Sequence, residues 1–393
     1  MRAIKKDIYS VGAIDWDREL FDELIPLPKG TSYNAFLVKG SEKTALIDTV
    51  DPKKVGELIR NLVGTGVTKI DYIVAHHGEQ DHSGSIGDIL TMYPGSKVVC
   101  NKRCMDILIE LLHLKEEVFI VIEDGQELSL GNKTMKFIFT PWVHWPETFS
   151  TYIKEDGVLF SCDFFGGHLA KSHLFVQNET LAYDAAKRYY AEIMMPFRKQ
   201  IRGNLEKLAE YDIDMIAPSH GLVYDKPKFI LDAYADWVSE DVKNEVVLGF
   251  VSMHDSTKVM AERLLESLME KDIEVKFFNL TTADVGLFAI SLVDAATIVL
   301  GTPTMLAGPH PKAAYAAVLT NLLKPKARYM SLFGSYSWGG RMLEQMQSMM
   351  CNINAEMIEP VMVKGLPKDE DLLRLDELAE KILARHRELG IVE

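Results

Sequence analysis

The chain has 393 residues, 47% of them hydrophobic and 25% charged, which is enough apolar material for two or three separate cores. A formal charge of −14 argues against a general nucleic-acid binder, and no run of about 18 apolar residues is present to cross a membrane as a helix. The N-terminus lacks the apolar segment and cleavage site of a secretory leader. The four cysteines, Cys100, Cys104, Cys162 and Cys351, are spaced neither as a zinc ribbon nor as a disulfide framework, so reduced thiols in a cytoplasmic protein are expected.

In chain order, residues 8–12, 34–38 and 44–48 alternate as strands, with a turn at 40–43 between the last two. Residues 52–64 carry apolar positions at helical spacing. An apolar strand at 70–75 then runs into His76 and the hexapeptide His77-Gly78-Glu79-Gln80-Asp81-His82. A helix at 83–92, a strand at 96–100 and a helix near 102–113 follow. From 117 to 163 the pattern returns to strands, and 135–140 and 158–162 run into His144 and Asp163. A long helical stretch covers about 180–210, and a strand at 215–219 delivers His220. Past residue 243 strands and helices alternate, with strands at about 246–252, 273–279, 296–301, 328–333 and 357–363 and a closing helix at 369–389. That alternation is the pattern of a doubly wound, five-stranded parallel sheet.

Two imidazoles and two carboxylates within six residues repel or desolvate one another unless a cation holds them. Adding the strand-end residues gives His77, Glu79, Asp81, His82, His144, Asp163 and His220. Four imidazoles and three carboxylates exceed what one cation needs. Two cations sharing one carboxylate would each receive two histidines and one terminal carboxylate. Nitrogen and hard oxygen without thiolate suit iron or manganese and still permit zinc. His76 is expected to be structural, since its side chain points opposite to that of His77 on a strand. Isolated histidines such as His113 and His386 are expected at the surface or satisfied within a core.

The spacing His77-x-Glu79-x-Asp81-His82, with His144, Asp163 and His220, resembles the metallo-β-lactamase-like fold in its flavodiiron form. Asp15-Trp16, residues 30–35 and His144-Trp145-Pro146 carry the same resemblance, which extends over essentially the whole chain. The hydrolase pattern of that fold has histidine where Glu79 stands. The resemblance implies an N-terminal αββα sandwich at 1–243 and a flavodoxin-like FMN-binding domain at 244–393. It also implies two iron ions, with His77, Glu79 and His144 on the iron nearer the flavin, Asp81, His82 and His220 on the other, and Asp163 between them. Tyr190 is expected to point at the site and donate a hydrogen bond to bound gas. Many relatives place a histidine after the phenylalanine near Phe21, whereas here Asp22 follows.

In the C-terminal half, residues at the carboxyl ends of the strands are the candidate FMN contacts. They are Ser252, Met253, His254, Ser256 and Thr257 after the first strand and Thr302, Pro303, Thr304, Met305 and Gly308 after the third. Gly334, Ser335, Tyr336, Ser337, Trp338 and Gly339 follow the fourth. Asp255, Met305, Leu306 and Ser337 depart from the commoner residues of the family. The expected activity is reduction of O2 to water, of NO to N2O, or both, by an external donor (rubredoxin or a reduced deazaflavin) acting through FMN. The expected assembly is a head-to-tail homodimer, or a dimer of dimers, in which each FMN meets the partner's irons. Neither nucleic acid nor a membrane is an expected partner. A zinc hydrolase with an appended flavodoxin domain, or an electron-transfer flavoprotein with a vestigial metal site, are the alternatives.

Overall fold

The computed structural model describes residues 1–393. It divides into two compact units, Met1–Tyr190 with Phe197–Val238, and Ser239–Glu393 with Ala191–Pro196.

The first unit is two sheets packed face to face. One has seven strands, in the order Arg2–Lys5, Ile8–Ser10, Phe36–Lys39, Thr44–Ile47, Tyr72–Val74, Lys97–Cys100 and Phe119–Val121. The other has five, Glu127–Ser129, Thr134–Phe139, Phe149–Ile153, Val158–Cys162 and Met215–Pro218. Leu37, Leu46, Ile73 and Val99 from the first meet Phe137, Phe149, Phe160 and Ala217 from the second in one core. Leu58, Leu62, Ile89 and Leu108 seat three helices on the first sheet. On the second sheet, the helix Arg198–Leu208 reaches the strand ends through Asn204 Nδ2–H to Pro141 O and Lys207 Nζ–H to Phe139 O, both 2.9 Å. This is the expected αββα sandwich.

Parallel pairing sets where chemistry gathers. Thr44–Ile47, Tyr72–Val74 and Lys97–Cys100 run parallel, as do Val158–Cys162 and Met215–Pro218. Their carboxyl ends therefore lie at one edge of the sandwich, where loops are free to carry polar side chains. A buried clamp ties these ends together. Asp48, in left-handed backbone after Ile47, accepts His76 N–H at 2.9 Å, faces His76 Nδ1 at 2.7 Å and accepts Ser219 Oγ–H at 3.2 Å. His76 Nε2 meets Thr151 Oγ1 at 2.7 Å. One carboxylate thus links strands of both sheets, and burial, which would raise its pKa, is outweighed by His76, which lowers it.

The second unit is a parallel sheet in the order Glu274–Asn279, Lys243–Phe250, Ala295–Met305, Tyr329–Tyr336, with the fifth position beyond it. The single strand expected at 357–363 is two short ones, Glu356–Met357 and Val361–Lys364. Pro360 has no N–H to give the ladder, so pairing breaks there. The long helix expected at 180–210 is also interrupted. It runs as Glu179–Tyr189, widens at Tyr190–Met194, tightens at Met195–Phe197 and resumes as Arg198–Leu208. Pro196 removes one helical donor in that stretch. No helix is long and apolar enough to cross a membrane.

Candidate functional site

All seven residues picked as metal ligands meet at the loop edge of the first unit. They form two sets. His77 Nε2 and His144 Nε2 stand 3.0 and 3.1 Å from Glu79 Oε2. His82 Nε2 and His220 Nε2 each stand 3.2 Å from an Asp81 oxygen. Asp163 lies between the sets. Its Oδ2 faces His77 at 3.6 Å and His144 at 3.7 Å, and its Oδ1 faces His82 at 3.1 Å and His220 at 3.4 Å.

These spacings fit a pair of cations. Ligands about 2.1 Å from a common ion stand about 3.0 Å apart at right angles and about 3.4 Å apart at tetrahedral ones. The Asp81 and Asp163 oxygens, His82 Nε2 and His220 Nε2 are buried and make no well-formed hydrogen bond, although they lie close together. Lone pairs aimed at a common point are costly to bury unless something positive occupies that point. Two divalent ions would offset the three carboxylates.

The loops are positioned by their far ends. His77 Nδ1–H and Gly78 N–H donate to Glu147 Oε1 at 2.8 and 3.1 Å, and Asn101 Nδ2–H holds the Glu147 carbonyl at 2.6 Å. His220 Nδ1 faces Ser32 O at 2.7 Å. Asn34 Nδ2–H donates to Pro218 O and Gly221 O, both at 2.9 Å, closing that loop from the first sheet's side. Gly221 takes φ +84°, and a Cβ there would meet Gly167 O at 2.5 Å, so glycine is required after His220. A fixed far nitrogen sets tautomer and ring orientation, leaving Nε2 to bind. Truncating Glu147 to alanine is therefore expected to weaken metal binding about 10–100-fold. Glutamine, which keeps the acceptor oxygen, should weaken it less. Competition against a chromophoric chelator measures both.

Without a metal, protons neutralise the cluster. Burial would lower the pKa of His77, but Glu147, Glu79 and the Asp163 charge raise it well above its ordinary value. Burial would likewise lower His82, but Asp163 and Asp81 bring it up to about 10. Glu79 and Asp163 go the other way: burial would raise them, and the facing imidazoles hold both low. Since the folded pKa of His82 lies above its ordinary 6.5, its stabilising contribution is full below pH 6.5 and lost as pH climbs through about 10. Metal-stripped protein should therefore melt at falling temperatures across that window. Loaded protein should not share this loss, because its Nε2 atoms are on metal. Calorimetry of both forms checks it, and a flat midpoint for the stripped form counts against the cluster's charge pattern.

Tyr190 does not face the cluster. Its hydroxyl donates to Trp237 O at 3.2 Å and its ring lies against Tyr234 and Trp237. The neighbouring Tyr189 takes that place. Its buried hydroxyl sits beside Asp163 without a fully formed hydrogen bond, and its ring contacts His220 and His168. Burial and then the Asp163 charge raise its pKa well above the usual range, so the phenol keeps its proton. Sequence reasoning missed His168 as well. It is held by Thr31 Oγ1 at 2.9 Å and packed on Phe21 and His220, with Nε2 unpartnered. Burial, then the charge on His220, keep it neutral. Asp22, beside these, is raised by burial and by the Glu79 charge.

The second unit has a cleft at the carboxyl ends of its strands. Ser252, Met253, His254, Ser256, Thr257, Pro303, Thr304, Ser335, Tyr336 and Ser337 line it, joined by Gly365, which sequence reasoning missed. The helix Ser256–Met269 opens there, and Asp255 before it takes φ +62°, a conformation natural to glycine. Free helical N–H groups with seven hydroxyls among the lining residues fit a phosphate-bearing ligand. Other expected contacts differ. Thr302 is buried and turns its hydroxyl to His310 N–H and Pro303 O, and Gly334 packs under Met342. Met305 and Gly308 pair with each other in a hairpin, where Gln345 closes on Gly308. Trp338 is 66% exposed, and Gly339, also in this loop, has open space beside its Cα.

A family model described as "ODP family beta lactamase" matches residues 31–221. A nitric oxide reductase of Moorella thermoacetica is 35% identical, over 98% of each chain. The anaerobic nitric oxide reductase flavorubredoxin of Escherichia coli K12 is 31% identical over 95% of this chain and 79% of its own length. Among solved structures, rubredoxin oxygen:oxidoreductase of Desulfovibrio gigas superposes with a TM-score of 0.94 at 29% identity, over 98% of both chains. A flavodiiron protein of Giardia intestinalis does so at 0.90 and 25% identity, over 98% and 96%.

Proposed function

The chain belongs to the flavodiiron protein family, and from that premise we propose that it reduces O2 to water, NO to N2O, or both, with electrons from an external donor. The observation that carries the metal assignment is Asp163, whose two oxygens each address one set of two imidazoles and a carboxylate. His77, Glu79 and His144 would hold one iron and Asp81, His82 and His220 the other, with Asp163 within reach of both sets. The nitrogen and oxygen donor set suits iron. FMN would be held by the residues that line the cleft of the second unit, where the start of Ser256–Met269 offers free N–H groups to a phosphate. When bound, the iron pair and the flavin supply the redox chemistry.

The protein's own part is to bind, orient and protect. Glu147, and the Ser32 carbonyl, fix the imidazoles. Phe21 and Trp145 pack around the histidines and limit water. Forming water or N2O consumes protons, and three groups beside the cluster can carry or donate them: Tyr189 Oη, His168 Nε2 and the Asp22 carboxyl. A hydrolase needs a single metal-bound water and no flavin. Glu79 in place of the hydrolase histidine, and the second unit, both speak against that reading.

The test is metal and flavin analysis of purified protein, with O2 and NO uptake under chemically reduced rubredoxin or deazaflavin. About two irons and one FMN per chain, with uptake of at least one gas, are expected. Zinc in place of iron with no uptake would overturn the reading. Sedimentation of the same sample tests the proposed head-to-tail dimer.

A further inference from the structure

Beyond the reaction itself, we propose that Tyr234, Trp237 and Tyr183 form a protective relay that carries single electrons from the protein surface to the metal site. The chain of rings begins at the bridging carboxylate. Phe164 and Phe165 follow Asp163 directly and stack on each other at 3.9 Å. Both meet Tyr234, at 5.4 and 4.9 Å between ring centres. Tyr234 lies 4.9 Å from Trp237, and Trp237 lies 5.3 Å from Tyr183. The Trp237 indole N–H donates to Tyr183 Oη at 3.1 Å. Tyr234 and Trp237 are fully buried, whereas Tyr183 is only partly so.

Packing alone does not select these residue types. Leucine or phenylalanine fills a core without a hydroxyl or indole N–H to satisfy. Among ring-bearing side chains, tyrosine and tryptophan give up an electron most readily. Phe164 and Phe165 stand next to the bridging carboxylate on this route, and Tyr234 follows them; Tyr189 and Trp145 also touch ligand histidines but are not links of the chain that runs through Trp237 to Tyr183. The chain thus offers an oxidising equivalent at the carboxylate a path away from the ligand loop to Tyr183, which is only partly buried.

The relay rests on the O2-reducing reading. Reducing O2 to two waters takes four electrons and four protons. When the donor supplies three, the fourth can come from Tyr183, whose phenol loses one electron inward through Trp237 and Tyr234 and its proton from Oη to water. A small thiol at the surface then restores it. Thiol and tyrosyl radical give tyrosine and a thiyl radical, and two thiyl radicals join as a disulfide.

The test uses the metal- and flavin-loaded protein, hydrogen peroxide as oxidant and a nitroso spin trap, with adducts located by peptide mass spectrometry. Peroxide takes two electrons to become two waters, so the relay is read without any O2 reduction. O2 uptake on the same preparation tests the parent reading separately. In the wild type, adducts should concentrate on Tyr183 and Trp237. In Trp237→Phe, labelling of Tyr183 should drop by an order of magnitude. Tyr183→Phe removes the acceptor of the buried Trp237 indole N–H, so its melting temperature and metal content are matched to the wild type before labelling is compared. Its oxidation products should move to Trp237, and it should inactivate several-fold sooner under limiting donor at an unchanged initial rate. Absence of label from both residues in the wild type overturns the relay. So does equal labelling of Tyr183 in Trp237→Phe, or in metal-stripped protein.

Discussion

Asp163→Asn is expected to hold one metal per chain instead of two and to lose gas reduction by ~1,000-fold or more, beyond the 10–100-fold typical of an outer partner. The reason is geometric. The aspartate turns Oδ2 to His77 and His144 and Oδ1 to His82 and His220. An asparagine has nearly the same shape but only one oxygen. Its amide N–H2 would face one pair of imidazole nitrogens and repel the cation there. Fold should survive, since shape is kept and the loss of charge is met by proton loss from His82 and His77, which this carboxylate helps to hold protonated. Iron analysis and gas uptake on the same sample decide it. Two tightly held irons in the variant would show that the carboxylate does not bridge.

Glu79→His is the second large effect. Glu79 Oε2 sits between His77 and His144, at 3.0 and 3.1 Å. A histidine there would give that set three imidazoles and leave Asp163 as its only carboxylate. Losing one negative charge and one hard oxygen favours zinc over iron. Protein expressed with both metals available should carry zinc and consume neither gas. An iron-loaded variant that still reduces O2 or NO would contradict the assignment of Glu79 as a ligand.

That the seven side chains cluster was legible because the signal is local. Charged groups packed into one loop, and histidines placed after apolar strands, are costly without a cation, and the periodicity of the strands fixes where they end. The αββα and parallel-sheet layers were legible for the same reason. Tyr189 was not, because Tyr189 and Tyr190 differ only in helical phase, and phase is lost where Glu179–Tyr189 gives way to a wider turn. His168 carries no local signal, as its partners Thr31 and Phe21 lie far away in sequence. Glu147 stood in plain view, three residues after His144, but a lone buried carboxylate reads as a site residue only when its partner is known. Thr302 and Gly334 were placed at the flavin by the rule that strand ends bind ligands, yet here the strands Ala295–Met305 and Tyr329–Tyr336 pair beyond both residues, through Pro303 and Ser335.

The Asp48 clamp bears on how the protein acquires its metals. It joins loops of both sheets through buried hydrogen bonds that involve no ligand nitrogen, and Glu147 and the Ser32 carbonyl orient their histidines from the side away from the cluster. The ligand cage is thus built by folding and not by the ion. A cage that stands ready does not need to unfold to exchange its contents, and its nitrogen and oxygen donors accept more than one first-row metal. The donor set favours iron, and supply at the moment of filling sets how fully the cage is loaded with it, so the same polypeptide harvested from iron-rich and iron-starved cells should differ in iron content and activity while sharing one fold.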